Sequence, residues 1–344
     1  MKKISVLVPT YNEEANVAAL AGEIEQIFAH KLAGYDYELV FIDNASKDGT
    51  RTILRELCAG NKKIRAVFNA RNFGQFNSPY YGLMQTGGDC TVLMCADFQD
   101  PPEMIVSFVR EWEKGYRIVI GVKTKSKENP FIYFLRTCYY RMIKKLSDVE
   151  QIEHFTGFGL YDKSFIAVLK ELRDPMPFLR GIVAELGYER KEVPYEQQLR
   201  QGGRTSNNWY SLYDAAMLGF TSYTKIGLRL ATFLGFFCSG VSILVAFVYL
   251  VLKLLHWEQF AAGNVPILLC VCVFGSVQMF FTGLLGEYVL SINARILARP
   301  LVVEEERINF EDQGMPSVKK GGFKSEQDMC DLREKNKAVQ QGRF

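Results

Sequence analysis

The residues best suited to chemistry lie in one short stretch, VLMCADFQDPPE at 92–103. Its apolar run stops at Asp97, and the two prolines that follow cannot continue a central strand. This pattern predicts a buried strand, a turn and a helix that begins at the prolines with Asp100 as its N-cap. Asp97 and Gln99 would then lie at the carboxyl end of a strand, where ligands bind in open α/β sheets. Their oxygens suit Mg²⁺ or Mn²⁺ bound with a phosphorylated substrate, and a capped turn without a ligand is the alternative.

The elements that must position these residues alternate between strands and helices. Strands are predicted at 3–8, 37–42, 64–68, 90–95 and 118–122, and helices between them. This alternation predicts an α/β fold with a doubly wound, mostly parallel sheet. No G-x-G-x-x-G or G-x-x-x-x-G-K-[ST] motif is present, which disfavours a dinucleotide oxidoreductase or a P-loop NTPase. Polar residues at successive strand ends predict a nucleotide crevice, in which Tyr11 could stack on a base and Asp43 could bind a uracil or ribose edge.

Composition narrows the possible partners. The net charge of +3 on 344 residues is too small to predict nucleic-acid binding. Eight cysteines lack paired spacing, so neither a zinc site nor a disulfide framework is expected, and a reducing cytosol is the simpler environment. The apolar run at 4–8 is too short for a signal peptide.

Two uncharged runs, 230–252 and 265–286, predict membrane helices. At ~1.5 Å per residue each is about 33–35 Å long, enough for a hydrocarbon core of roughly 30 Å. A buried helical hairpin in a soluble protein is the alternative, and Glu287 would need water or a partner. The positive-inside rule places both ends of the pair in the cytoplasm, because these basic residues flank it: Lys225, Arg229, Arg295 and Arg299. We therefore expect a multi-pass protein of the cytoplasmic membrane with a cytosolic catalytic domain and cytosolic termini.

Four motifs together resemble those of family 2 glycosyltransferases: VPTYNE at 8–13, DNASKDGT at 43–50, RNFG at 71–74 and ADFQDPPE at 96–103. The similarity is strongest to the polyprenyl-phosphate branch, which includes dolichol-phosphate mannose synthase and bactoprenol glucosyltransferases, and it covers residues 1–300. The resemblance implies a GT-A fold, a nucleotide-sugar donor (a UDP-sugar), a divalent metal cofactor (Mg²⁺ or Mn²⁺) and inverting transfer to polyprenyl (undecaprenyl) phosphate.

The resemblance also implies roles for individual residues. The nucleotide would be held by Pro9, Tyr11, Glu13, Asp43 and Gly74, and the metal by Asp97 and Gln99. The lipid phosphate would be met by Lys123, Arg136 and Tyr140. The catalytic group would be Asp97, Arg200 and Arg204. The two arginines belong to RQGGRTS at 200–206, which resembles the family's Arg-x-x-Gly-x-Ser loop that closes over the diphosphate.

Two departures from the family pattern stand out. Relatives usually carry Asp where this chain has Cys95, and a thiol is a poor Mg²⁺ ligand, so weaker metal affinity or a shifted metal preference is the hypothesis. Where relatives often have Asp-Phe-Arg-Leu, this chain has Gly157 and Gly159 at the acidic and basic positions. No catalytic base can therefore be transferred, and His154 is predicted to be structural. A lipid phosphate is already largely ionised near neutral pH and can react without a base.

These observations predict a catalytic GT-A domain at 1–207, with an amphipathic segment at 131–146, and an interface helix at 208–229. Transmembrane helices at 230–255 and 265–290 precede a polar tail at 291–344, expected to be disordered after Leu301. The expected product is a polyprenyl-phosphate sugar for cell-envelope glycan modification, and self-association is expected by analogy. One alternative is a processive polysaccharide synthase, although its [Gln/Arg]-x-x-Arg-Trp motif is missing. Another is a membrane-tethered sugar-nucleotide-binding protein that has lost catalysis.

Overall fold

The computed structural model describes residues 1–125, 152, 155–198, 209–223, 226–255, 264–297 and 299–310. Several predicted features lie outside the described residues: the segment 131–146, Arg136, Tyr140, His154, Arg200 and Arg204.

The described residues form eight strands and nine helices. The strands are β1 Lys3–Thr10, β2 Asp36–Asp43, β3 Ile64–Asn69, β4 Cys90–Leu93, β5 Ile118–Lys125, β6 Phe155–Asp162, β7 Arg190–Glu196 and β8 Glu304–Ile308. The helices are α1 Val17–His30, α2 Thr50–Gly60, α3 Gly74–Gln85, α4 Met104–Glu113, α5 Lys163–Leu172, α6 Leu179–Glu185, α7 Trp209–Tyr223, α8 Ile226–Leu255 and α9 Asn264–Ile296.

All eight strands form one sheet in the order β7-β5-β6-β4-β1-β2-β3-β8. The predicted parallel pairing is confirmed for the central strands β4, β1, β2 and β3. The sheet as a whole is mixed, because β6 is antiparallel to both β4 and β5, and β8 is antiparallel to β3. The chain runs outward from β1 to β3 and returns to place β4 on the other side of β1. The carboxyl ends of β1 and β4 therefore flank a topological switch point, where such sheets bind ligands.

The central strands form because their residues are apolar on both faces, as a covered parallel sheet requires. In β1, residues Ile4, Val6, Leu7 and Val8 are fully buried. The predicted apolar face of α1 packs against this layer, through Val17, Leu20, Ile24, Ile27 and Phe28. Each fully buried side chain of this kind contributes about 1.5–3 kcal/mol, so the layer holds the strand ends rigidly in place.

Two predictions made from local pattern are wrong. The N-cap of α4 is Glu103 and not Asp100, because a turn with the Met104 N–H bonded to the Pro101 carbonyl at 3.0 Å precedes the helix. The tail after Leu301 is not wholly disordered, because its residues 304–308 form strand β8. This strand gains backbone hydrogen bonds by pairing with the otherwise open edge of β3.

Helices α8 and α9 occupy the two runs predicted to cross a membrane. Within the described ranges, none of the helices combines the length and the apolar character that a membrane crossing demands, so the crossings predicted at 230–255 and 265–290 are not confirmed. Both helices expose large apolar side chains, among them Phe233, Phe236, Phe237, Leu244, Phe247, Leu254, Ile267, Val271, Met279 and Phe280.

The described residues of the predicted interface helix at 208–229 include α7, Trp209–Tyr223, and the bounds of that helix stay a prediction. Helix α7 supplies the partner that Glu287 was predicted to need, because the Tyr213 hydroxyl donates to Glu287 Oε1 at 2.9 Å.

Candidate active site

A cavity of about 450 Å³ lies at the switch point, between the loops that follow β1 and β4. A cavity of this size suits a small-molecule ligand. It is lined by six of the predicted site residues: Pro9, Tyr11, Glu13, Gly74, Asp97 and Gln99. The structure therefore brings together the motifs that lie apart in the sequence.

The loops at this edge contain strained backbone. Three residues other than glycine adopt a left-handed conformation, with φ of 56° at Asn12, 62° at Ala45 and 58° at Phe98. Such conformations cost about 1–3 kcal/mol each and cluster at ligand sites. The first two loops brace each other, because the Asn12 N–H donates to Ser46 Oγ at 2.9 Å. The Lys47 N–H donates in return to Asn12 Oδ1 at 2.8 Å.

Asp43, at the end of β2, is fully buried and does not line the cavity, whereas its neighbour Asn44 does. Its Oδ2 accepts from Arg51 Nε at 2.8 Å and from the Ser46 N–H at 3.1 Å. Its Oδ1 is buried and makes no hydrogen bond to any described residue. A buried acceptor without a donor costs about 1–3 kcal/mol, so a ligand N–H or hydroxyl delivered here would be stabilising. The role of Asp43 as a nucleotide ligand stays a prediction.

A cluster of asparagines fixes the floor beside Asp43 and was not predicted. Asn44 Nδ2 donates to Asn72 Oδ1 at 2.9 Å, and Asn69 Nδ2 donates to Asn44 Oδ1 at 3.1 Å. The Gly74 N–H donates to Asn72 Oδ1 at 2.8 Å, with φ of 89° at the glycine. These bonds hold the start of α3, where Gly74 was predicted to approach the nucleotide, against the end of β2.

Glu13 lies beneath the loop after β1 and is largely buried. Its Oε2 accepts from Asn16 Nδ2 at 2.6 Å, and its backbone N–H donates to Thr50 Oγ1 at 2.9 Å. Glu13 therefore links the start of α1 to the start of α2, and its predicted contact with a nucleotide stays a prediction.

Asp97 and Gln99 share one turn at the cavity wall. The Gln99 N–H donates to Asp97 Oδ1 at 3.2 Å, while Gln99 Oε1 accepts from Gln197 Nε2 at 3.1 Å. A backbone bond from Gln198 to the Gln99 carbonyl, 3.2 Å, ties this turn to the chain that follows β7. Among the described residues no cluster of three or more His, Cys, Asp or Glu could hold a metal ion. The turn therefore offers a carboxylate and an amide oxygen, which suits a cation that takes its remaining ligands from a phosphorylated substrate.

Asp100 anchors this turn from beneath, a role that local reasoning missed by treating it as a helix cap. It is buried, and its Oδ1 accepts from the Tyr195 hydroxyl at 2.7 Å. Burial raises the pKa of Asp100, and the Tyr195 hydroxyl and Lys123 oppose this rise. Lys123, predicted to meet the lipid phosphate, is not among the described residues that line the cavity.

The Cys95 side chain is exposed in the cavity. Desolvation within the cleft, followed by the charges of Asp100 and Asp97, raises its pKa well above the ordinary value. A thiol is a poor Mg²⁺ ligand, and the hypothesis that Cys95 does not replace the usual acidic residue stays a prediction.

The far wall of the cavity comes from β6 and from the start of α6. Among the described residues that line the cavity, Arg180 is the one with a positive charge, and three others carry carboxyl groups. The Arg180 guanidinium lies 5.4 Å from the centre of the Phe178 ring. The sequence held no signal for Arg180, because it lies outside the quoted motifs. Gly157 has φ of 104°, and a Cβ at Gly159 would lie 2.5 Å from the Val119 carbonyl oxygen. The close approach of β5 to β6 therefore leaves no room for a side chain at Gly159.

The chain is similar in sequence to known glycosyltransferases along most of its length. Residues 5–169 match the family model described as Glycosyl transferase family 2. An uncharacterized glycosyltransferase, YkcC of Bacillus subtilis (strain 168), is 28% identical over 310 residues, which are 90% of this chain and 95% of that protein. The bactoprenol glucosyl transferase of Shigella phage SfX is 27% identical over 306 residues, 89% of this chain and 99% of that protein. The crystal structure of glucosyl-3-phosphoglycerate synthase from Mycobacterium tuberculosis, in complex with Mn²⁺, UDP and phosphoglyceric acid, is 17% identical with a TM-score of 0.43. That match covers 64% of this chain and 76% of the synthase.

Proposed function

Because the chain is a glycosyltransferase that carries a Glycosyl transferase family 2 domain at residues 5–169, we propose that it transfers one sugar from a UDP-sugar to polyprenyl phosphate. The product would be a polyprenyl-phosphate sugar for modification of cell-envelope glycans. The observation that carries the proposal is the cavity at the switch point, whose lining includes Asp97, Gln99 and Arg180. The names of full-length relatives that are bactoprenol glucosyl transferases support the lipid acceptor.

Asp97 and Gln99 would hold a divalent cation, Mg²⁺ or Mn²⁺. Their donor set fits such an ion because hard oxygen ligands from one or two carboxylates, completed by substrate phosphates, are the usual Mg²⁺ site. A bound cation of this kind supplies charge stabilisation to a departing diphosphate. Because Cys95 stands where relatives usually carry Asp, and a thiol is a poor Mg²⁺ ligand, we expect metal affinity in the absence of nucleotide to be weak.

The chain's own residues would bind and orient the two substrates and exclude water from them. Tyr11 and the loop after β2 would hold the nucleotide, and Gln99 fixes the turn of Asp97 against the chain after β7. Arg180 would attract an anionic phosphate, where a guanidinium forms paired hydrogen bonds. The acceptor phosphate oxygen would form the new bond to the anomeric carbon as the bond to the diphosphate breaks, which inverts the configuration. No base is required, because the phosphate is already ionised. Roles for Lys123, Arg136, Tyr140, Arg200 and Arg204 stay predictions.

The reaction is proposed to take place at the cytoplasmic face of the membrane, with both termini in the cytosol. Support comes from the uncharged runs of α8 and α9 and from their exposed apolar side chains, such as Phe236 with 74% of its surface exposed. Exposing such a side chain to water forfeits about 1.5–3 kcal/mol, so a lipid environment would stabilise it. Extraction of membranes at alkaline pH would test this, since a protein held by lipid contacts stays in the pellet and a peripheral one is released.

The enzymatic test uses the full chain in detergent with undecaprenyl phosphate and Mg²⁺ or Mn²⁺. UDP-glucose, UDP-N-acetylglucosamine, UDP-galactose and GDP-mannose are offered separately, with EDTA controls, and glycolipid is measured by mass spectrometry. We expect one metal-dependent product, which Asp97→Asn abolishes. The matched control Asp36→Asn changes a surface pair with Lys63 at the opposite edge of the sheet and should retain activity. Nucleotide binding without product would support the binding-protein alternative, and a polymeric product the processive synthase.

A further inference from the structure

We propose that Arg51 is a positioning residue for the nucleotide site and that Glu305, in the C-terminal strand β8, holds it in place. The inference rests on the proposed function, because it takes Asp43 to be a donor-binding residue. None of the sequence motifs includes Arg51 or Glu305, and the two lie 254 residues apart in the chain.

The guanidinium of Arg51 is fixed by three separate contacts. Its Nε lies 2.8 Å from Asp43 Oδ2, its Nη1 lies 2.9 Å from Glu305 Oε2, and its Nη2 donates to the Asn69 carbonyl at 2.7 Å. A planar guanidinium bonded along three directions has one favourable orientation. The carboxylate of β8 and the carbonyl at the end of β3 therefore determine where the charge facing Asp43 lies.

Asp43 needs such a partner because it is a fully buried carboxylate at the end of a central strand. A buried charge is strongly unfavourable unless it is paired and hydrogen-bonded. Arg51 and the Ser46 N–H both bond to Oδ2, and this leaves Oδ1 as the acceptor with no donor among the described residues. Arg51 thus holds the carboxylate in one orientation, and a donor group of the ligand that reaches Asp43 would bond to Oδ1.

The neighbouring residue of β8 provides an internal comparison. Glu306 also pairs with an arginine of α2, at 2.7 Å from Arg55 Nη2, but the described contacts of Arg55 do not include Asp43. Glu305 and Glu306 are similarly exposed and lie on the same strand. Their pairs differ in that only the first leads to the proposed nucleotide ligand.

The experiment compares Glu305→Gln with Glu306→Gln in the full-length protein. Binding of UDP and of GDP is measured by calorimetry, KM for the sugar nucleotide and kcat by product formation, and the melting temperature without ligand. We expect Glu305→Gln to weaken nucleotide binding and raise KM by roughly two- to fivefold, in keeping with an exposed ion pair, with kcat unchanged. Glu306→Gln should leave nucleotide binding and KM unchanged within experimental error. Arg51→Lys, which keeps the charge but loses the fork, should have the larger effect, about tenfold.

Equal nucleotide affinity of Glu305→Gln and Glu306→Gln, in a wild-type protein that binds nucleotide, would overturn the inference and leave the proposed function intact. A lower melting temperature without a change in affinity or KM would overturn it as well, because the pair would then only stabilise the fold. Failure of the wild-type protein to bind either nucleotide would overturn the proposed function and this inference together.

Discussion

Removing the hydroxyl group of Tyr195 is expected to destabilise the turn that carries Asp97. The hydroxyl donates to the buried Asp100 at 2.7 Å, and Asp100 in turn lies beneath the cavity wall. In Tyr195→Phe the ring remains, and it can keep its edge-to-face packing on Phe158 at 5.3 Å, so no cavity is created. The change therefore removes the hydrogen bond to the buried carboxylate, together with the one between the hydroxyl and the side chain of Thr156.

The magnitude follows from the charge and burial of Asp100. A hydrogen bond to a charged group contributes about 1.5–3 kcal/mol, and the remaining carboxylate oxygen would lose its donor. If the free energy of unfolding falls by about 2 kcal/mol, a domain of this size should melt about 4–8 °C lower at pH 7.5. Because the same turn carries Asp97, kcat should fall as well. Tyr188→Phe is the matched control, since the Tyr188 ring packs edge to face on Phe165 while its hydroxyl has no hydrogen bond to a described residue.

The effect should depend on pH in a defined direction. Burial raises the pKa of Asp100, and the Tyr195 hydroxyl, which favours the charged form, opposes this. In Tyr195→Phe the folded-state pKa rises further while the unfolded-state pKa stays the same. The stability lost by the variant is therefore full at a pH above both folded-state pKa values, and it shrinks as the pH falls through them. Melting by fluorimetry at pH 7.5 and at pH 5 would check this. A decrease no larger than that of Tyr188→Phe, or one that grows towards low pH, would refute the reasoning.

Further predictions concern the cavity and the sheet. Arg180→Gln should raise KM for the lipid acceptor about tenfold, while the surface variant Arg71→Gln should not; equal values for the two would exclude Arg180 from phosphate binding. Cys95→Asp adds a carboxylate to the metal-binding wall and should lower the half-saturating metal concentration roughly tenfold, measured by metal-titrated activity; an unchanged value would contradict the assigned metal position. Gly159→Ala should lower the melting temperature, because its Cβ would lie 2.5 Å from a backbone oxygen of β5. The control Gly22→Ala, in a helix with open space around it, should raise the melting temperature slightly, and the opposite order would argue against this packing.

Local sequence patterns were enough to predict the strands of the central sheet and the polar residues that follow them. The strands that became β1 to β4 were predictable because they are short apolar runs, each ended by polar or turn-forming residues, and this signal is local. Parallel strands present their carboxyl ends at one edge, so the motifs with Tyr11, Asp43 and Asp97 could be assigned to one crevice before any pairing was known.

The residues that complete this crevice from distant parts of the chain became evident from the packing of the folded protein. Strands β6, β7 and β8 were not predicted, because their pairing depends on partners far away in the chain rather than on a local period. The local helix-capping rule failed at Asp100 because a buried hydrogen bond to Tyr195 competes successfully with a cap at the helix surface. Arg180 and Glu305 carry no motif, and their relation to the site arises from packing alone. Sequence patterns indicate which residues of a segment are buried and where the chain turns. The partner of a buried charge, in contrast, is determined only when separate segments of the chain pack together.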